Sequence, residues 1–269
     1  MNSNLVLIKG AGDLASGTAH RLARCGYAVV MLDIGQPTVI RRPVSFAEAI
    51  YQGTCTVEGV TAELAAGPEQ IRAVLAKGHI AVAVDQDWTL VSALKPAAVI
   101  DAVLAKTNLG TAIDEAPVVI GLGPGFTAGV DVHAVVETKR GHNLGRVILT
   151  GAAEPNTGIP GVIGGFGAER VLRAPAAGIF QPRREIGAQV VKGELVALVE
   201  DVPLTATIDG VLRGLLKSGL TVHQGMKVGD IDPRAEREHC FTISDKSRSV
   251  AGGALEALLY LTVGGRRNS

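Results

Sequence analysis

Gly10, Ala11, Gly12, Asp13, Leu14 and Ala15 form a Gly-x-Gly-x-x-Ala stretch directly after the apolar run Asn4 to Ile8 and Lys9. The chemistry this spacing suggests is anion binding by the main chain. Gly10 permits a tight turn, Gly12 lets backbone approach a pyrophosphate, and Ala15 lets a following helix pack closely on its strand. Amides at the start of that helix then face the anion. Asp33 stands 21 residues after Gly12, at the end of a second apolar run. A carboxylate there accepts hydrogen bonds from a ribose hydroxyl. Asp13 offers the opposing reading. Its carboxylate could cap the same amides, leaving a turn that holds no dinucleotide.

Other residues could serve the same crevice. Arg41 and Arg42 lie in the loop Pro37 to Pro43, where planar guanidinium forks suit a phosphate or carboxylate. Asp85 and Asp101 close apolar runs, the position at which open α/β sheets bind ligands, although each could equally cap a helix. Lys106 and Asn108 follow in a polar segment with no core role. Gly121, Gly123 and Gly125 make a second glycine turn able to cradle an anion, but Pro124 removes one donor. His142 falls in a hairpin loop. No catalytic residue is assigned. Cys25, Cys55 and Cys240 are scattered and match neither a disulfide framework nor a zinc site. Cys25 falls on a core helix face, and Cys240 is the most accessible of the three by pattern.

The elements that must position these groups alternate. Leu14, Thr18, Leu22 and Cys25 repeat at helical spacing until Gly26. Strand-like runs follow at Tyr27 to Leu32, His79 to Val84, Ala97 to Ile100 and Pro117 to Ile120, with a short helix at Trp88 to Leu94. Ala134 to Thr138 and Arg146 to Thr150 read as a hairpin. The order predicts an α/β chain whose residues 1–168 form a Rossmann-like, parallel-sheet, nucleotide-binding domain. From Ala174 the sequence repeats with a period of 32 residues: Ala174, Gly178, Gly187, Val190, Gly193 and Val196 recur as Ala206, Gly210, Gly219, Val222, Gly225 and Val228. Two copies with glycine corners predict a small β-sandwich over residues 169–234. This pattern resembles the barrel-sandwich hybrid of biotinyl and lipoyl carrier domains. The hairpin that would carry their cofactor, Val199 to Thr205, has no lysine, so a structural or partner-docking module is expected instead. Residues 235–269 complete the chain, with a helix from about Val250 to Leu261 packing Leu255, Leu258 and Leu259 on the first domain. Gly264 to Ser269 read as frayed.

Composition excludes several partners. The 26 basic and 26 acidic side chains cancel, and aromatics are 3% of residues, so nucleic acid has neither an electrostatic footprint nor stacking platforms. No apolar run approaches the roughly 20 residues of a membrane span, and the N-terminal residues do not read as a signal peptide. A cytoplasmic location is expected.

Several motifs are distinctive together: Lys9-Gly-Ala-Gly-Asp-Leu-Ala15, Ile40-Arg-Arg42, Thr56-Val-Glu-Gly59, Ile100-Asp-Ala-Val-Leu-Ala-Lys106, Gly121-Leu-Gly-Pro-Gly-Phe126, Glu137-Thr-Lys-Arg-Gly-His142, Asp230-Ile-Asp-Pro-Arg234 and Ile243-Ser-Asp-Lys246. From Leu5 to Leu261 the chain resembles the YqeB-type proteins of the selenium-dependent molybdenum hydroxylase system. The resemblance implies an accessory protein that matures a molybdenum hydroxylase, binds a dinucleotide-type cofactor (molybdopterin dinucleotide or NAD(P)) and docks the client enzyme; a homo-oligomer is compatible with it. Two other readings stand beside it. One is an NAD(P)-dependent oxidoreductase, for which Asp101, Lys106 and His142 are the available acid–base groups. The other is a non-catalytic scaffold whose glycine turn is capped by Asp13.

Overall fold

Short Val-, Ile- and Leu-rich segments buried on both faces build the centre of the fold, as expected of parallel strands covered on each side. The computed structural model describes residues 4–158 and 161–263, so the terminal segment Gly264 to Ser269 lies outside the described residues. The chain divides into two units. The first comprises Met1–Gly35, Ser45–Asn156 and Ile243–Ser269, and the second Gln36–Val44 and Thr157–Thr242.

In the first unit, β1 (Leu5–Lys9) leads through the glycine turn into α1 (Asp13–Arg24) and β2 (Ala28–Asp33). After α2 (Glu48–Gln52) come β3 (Thr54–Val57), β4 (Val60–Leu64), α3 (Gly67–Ala76), β5 (Ile80–Val84), α4 (Thr89–Leu94), β6 (Ala98–Asp101) and β7 (Val118–Leu122). The short strands β8 (Thr127–Ala128), β9 (Ala134–Val136), β10 (Val147–Ile148) and β11 (Gly151–Ala152) follow. Nine of these strands form one sheet in the order β10-β9-β7-β6-β1-β2-β5-β4-β3, and β8 pairs with β11. The seven inner strands are parallel; β3 and β10 pair antiparallel at the two edges.

In the second unit, β12 (Val171–Arg173), β13 (Gly178–Pro182), β14 (Gln189–Val190), β15 (Leu195–Val199), β16 (Val202–Thr205), β17 (Gly210–Leu215), β18 (Thr221–Val222) and β19 (Lys227–Asp232) make two four-stranded sheets, β12-β19-β17-β14 and β16-β15-β13-β18. The 32-residue repeat is visible in the backbone. Gly178 and Gly210 have φ of 145° and 151°, and Gly187 and Gly219 have 92° and 83°. Each sheet takes its short strand from the other repeat, since β14 pairs with β17 and β18 with β13.

These features correct the expected fold class. The chain is a mixed α/β fold, not a Rossmann-like parallel domain followed by a barrel-sandwich hybrid and a helix. The large sheet is mixed because its edge strands return through local connections. Glu58 and Gly59, both at positive φ, close a two-residue turn between β3 and β4, which forces antiparallel pairing. The second unit is not the self-contained segment 169–234. It consists of two antiparallel sheets, reaches from Thr157 to Thr242, and takes in Gln36–Val44, whose Ile40 carbonyl accepts the Leu215 amide at 2.8 Å.

The last helix, α5 (Asp245–Val263), belongs to the first unit and starts five residues before its expected position. Its buried face is made of small residues, Ala251, Gly253, Ala254 and Ala257 with Val250 and Leu258, while Leu259 is 43% exposed. Of the expected leucine stripe Leu258 is buried, Leu255 is half-buried and Leu259 is exposed, so small residues make up most of the packing face. A side-chain carbon added at Gly253 would lie 2.1 Å from the Gly145 carbonyl oxygen, and one at Gly17 on α1 would lie 2.0 Å from Ser247 Oγ. At Gly17 helix α1 lies against the Ser247 side chain of α5, and at Gly253 α5 lies against the backbone of the loop before β10, so neither position has room for a methyl group as the neighbours stand.

Candidate functional site

The carboxyl ends of β1, β6 and β7 lie side by side, with Lys9 in register with Asp101 and Asp101 with Gly121. Their loops touch. A carbon added at Gly10 (φ 94°) would sit 3.0 Å from the Ala102 carbonyl oxygen, and one at Gly125 (φ 113°) would sit 2.9 Å from the Thr107 backbone. The glycines therefore let three loops form one rim. Gly121 and Gly123 serve packing too, against Phe126 and Thr138.

The first glycine turn is held from several sides. Ala11 N–H donates to Asp33 Oδ2 at 2.7 Å, and Ile34 N–H donates to Asp33 Oδ1 at 2.8 Å. Burial pushes the Asp33 carboxyl above its ordinary range, while these two amides pull it back. The Ser16 hydroxyl donates to the Ala11 carbonyl at 3.0 Å and accepts the Phe46 amide at 2.7 Å. The N-cap of α1 is Gly12, which offers no side-chain cap, and the first intrahelical bond runs from Ser16 N to Gly12 O at 2.8 Å. The amides of Leu14 and Ala15 thus have no partner inside the helix.

Cations gather near this helix start. Lys246 on α5 is half-buried. Desolvation lowers its pKa, Lys106 and Arg140 push it the same way, and Asp13 and Glu137 oppose them. Arg140 forks onto Asp245 at 2.7 and 3.1 Å. Lys106 is exposed, stands at φ 69°, and has no bonded partner among the described residues. Leu104 is also left-handed, at φ 61°. Two non-glycine residues so close together in this region mark a loop held in an uncommon shape.

Behind the rim lies a buried polar chain. Lys9 is 0% exposed, and its Nζ donates to Thr111 Oγ1 at 2.8 Å and pairs with Glu115 at 2.7 Å. The Thr111 hydroxyl donates to Asp101 Oδ2 at 2.7 Å, and Asp101 Oδ1 accepts the Val103 amide. Asn108 is spent on the loop, accepting the Gly110 and Thr111 amides and donating to the Thr111 carbonyl.

Of the residues singled out by sequence, Gly10, Ala11, Gly12, Asp13, Leu14, Ala15, Asp33, Asp101, Lys106, Asn108, Gly121, Gly123 and Gly125 belong to the first unit. Arg41 and Arg42 belong to the second. There Arg41 Nη2 donates to the His239 and Thr242 carbonyls at 2.9 and 3.1 Å, and Arg42 Nε to the Leu215 carbonyl at 2.9 Å. Asp85 accepts the Leu90 amide at 2.7 Å and the Thr89 hydroxyl at 3.2 Å, at the start of α4. The cysteine expectations reverse. Cys240 is buried, Cys25 is exposed, and burial pushes the Cys55 thiol up to about 11. Sequence reasoning missed Lys9, Thr111, Glu115, Arg140 and Lys246. A lysine ending an otherwise apolar inner strand was the available signal for the first three, since such a charge needs a buried partner.

No family model matches the chain. It is 51% identical over 257 residues to the uncharacterized protein YqeB of Escherichia coli (strain K12), an alignment covering 96% of this chain and 48% of that protein. The chain therefore spans about half the length of the curated relative it matches. Among solved structures, an aspartoacylase family protein from Mesorhizobium loti aligns at 11% identity over 76% of this chain and 56% of its own, with a TM-score of 0.26. The product-bound ectoine utilization protein EutE (DoeB) from Ruegeria pomeroyi aligns at 14% identity over 76% and 57%, with a TM-score of 0.24. TM-scores of this size do not define a shared fold. The YqeB relative is itself uncharacterized, and nothing in these matches supports molybdenum-hydroxylase maturation, so that expectation is not carried further, nor are the Rossmann and barrel-sandwich labels. No helix among the described residues is long and apolar enough to cross a membrane.

Proposed function

We propose that the first unit binds a phosphate-bearing ligand of the dinucleotide class at the carboxyl ends of β1, β6 and β7. The observation that carries this reading is the glycine turn into α1. Its N-cap has no side chain to satisfy the first helical amides, and Asp33 and Ser16 hold it in shape. Amides and helix dipole there favour an anion, and Lys106 and Lys246 add positive charge beside it. Asp33 keeps oxygen lone pairs beyond the two amides it accepts, which suits a sugar hydroxyl. Asp13 tempers the site by its charge and sets a preference for ligands whose phosphates stay over the amides of Leu14 and Ala15.

Equilibrium titration of the whole chain with NADH, NADPH and a pterin dinucleotide tests this directly. Saturable binding of one of them, weakened in Lys106→Gln, is the expected result. Absence of binding by all three, with Asp13→Asn failing to create it, removes the proposal and leaves the scaffold reading.

A further inference from the structure

The opposite end of α1 carries a second set of groups that the proposed dinucleotide site does not use. A cavity of about 240 Å³ lies there, lined by His20, Arg21, Arg24 and Cys25 of α1, with Gly17, Ile243, Arg248 and Leu255 completing the wall. Arg21 and Arg24 are one helical turn apart and therefore share a face. Among the described residues neither guanidinium has a carboxylate partner or donates a hydrogen bond. Arg21 nevertheless reaches across to α5: a carbon added at Gly252 would lie 3.5 Å from its Nη1. Arg248 comes from α5, its Nη2 donates to both Glu58 carboxylate oxygens at 2.7 and 3.0 Å, and the Ile243 amide donates to Oε1 of the same carboxylate at 2.8 Å. His20 is 5% exposed, with its Nε2 3.3 Å from the Glu58 carbonyl oxygen.

The charge here is unbalanced. Three arginines stand against the single carboxylate of Glu58, a formal excess of two positive charges with His20 neutral. The carbonyl end of α1 attracts Arg21 and Arg24, but it supplies only partial charge, and two like charges one turn apart repel. Guanidinium forks in that arrangement suit a multivalent oxyanion that several of them can share. The volume is below the range of drug-sized ligands, which limits the occupant to a small molecule. We propose that this cavity is an anion site for a small dianion of the phosphate class, held by Arg21, Arg24 and Arg248. It does not depend on the dinucleotide reading, because the two sites share no residue.

Calorimetric titration of the full chain with inorganic phosphate, pyrophosphate and succinate at fixed ionic strength tests the proposal. We expect saturable binding of phosphate or pyrophosphate, weakened roughly tenfold or more in R21Q/R24Q, as loss of charged hydrogen bonds implies. Both side chains reach solvent, so a thermal melt matching the wild type confirms that the variant folds. Absence of saturation in the wild type overturns the proposal, as does an R21Q/R24Q titration identical to the wild type. Succinate binding as tightly as phosphate overturns the phosphate class. Binding abolished by K106Q/K246Q but kept in R21Q/R24Q places the anion at the glycine turn and equally overturns it.

Discussion

Asp33 Oδ2 accepts the Ala11 amide at 2.7 Å, so the acid at the end of β2 fixes the shape of the glycine turn at the end of β1. Removing the carboxylate leaves the amides of Ala11 and Ile34 without their acceptor, a loss of about 1–3 kcal/mol. Asp33→Ala should therefore lower stability in a urea titration and weaken ligand binding together. Burial raises the Asp33 carboxyl, so the ionised form costs stability at neutral pH. Asp33→Asn keeps one acceptor without the charge and should lose less than Asp33→Ala. Equal losses would mean that the turn does not rely on this contact.

Lys9 and Glu115 give a second test. A fully buried ammonium is tolerable only with its partners in place, and removing one partner of a buried pair costs about 3–5 kcal/mol. Lys9→Met should show a loss of this order, because Glu115 and the Thr111–Asp101 bond lose their cation. K9M/E115Q should recover part of it. A double-mutant cycle with no coupling between the two positions would show that the pair is not an energetic unit.

How far the site was legible in the sequence depended on whether its partners were local. The strand, glycine turn and helix around Gly10 to Ala15 were readable, because each signal lies within a few residues of the next. The glycines of the 32-residue repeat were readable too, and their matched φ values show why: the same corners are turned twice. The sheet edges were not, because one two-residue turn at Glu58 and Gly59 reverses β3 without altering its apolar pattern. For Arg41 and Arg42, residue type and position just after the acid-bearing strand suit a ligand clamp and a solvated loop equally well. Their carbonyl partners, Leu215, His239 and Thr242, lie more than 170 positions away, beyond any local pattern. The packing face of α5 is only partly legible for a related reason. Leucines mark a stripe in sequence, but here the closest approach is made by glycine and alanine.

Two glycines on that interface should respond differently to the same change. Alanine in a helix interior is favoured over glycine by about 1 kcal/mol, whereas overpacking costs about 1–3 kcal/mol. At Gly17 the obstacle is the Ser247 hydroxyl, 2.0 Å from an added carbon, and Ser247→Ala removes it. Gly17→Ala should thus destabilise, and G17A/S247A should restore part of the loss, because the Ser247 Cβ at 3.1 Å and the Ile243 side chain at 3.3 Å still press on the added methyl. At Gly253 the obstacle is the backbone carbonyl of Gly145, which no side-chain substitution relieves. Thermal melts of the three variants decide between this account and a loosely packed helix, in which Gly17→Ala would be neutral or stabilising.

His20 should make stability depend on pH. Burial lowers its pKa below 6.5, with the cations Arg24 and Arg248 acting in the same direction and Glu58 opposing them. Because the folded pKa lies below the unfolded one, the unfolded chain binds more protons in the window between them, and folding weakens as pH falls through it. The stability present above about pH 6.5 is lost progressively on acidification towards the folded pKa. His20→Gln, which cannot titrate, should flatten that part of the profile of unfolding free energy against pH and leave the slope below pH 5, due to carboxylates, unchanged. A wild-type profile that is flat between pH 7 and 5.5, or one that His20→Gln leaves equally steep, would show that the ring is not held neutral by its surroundings.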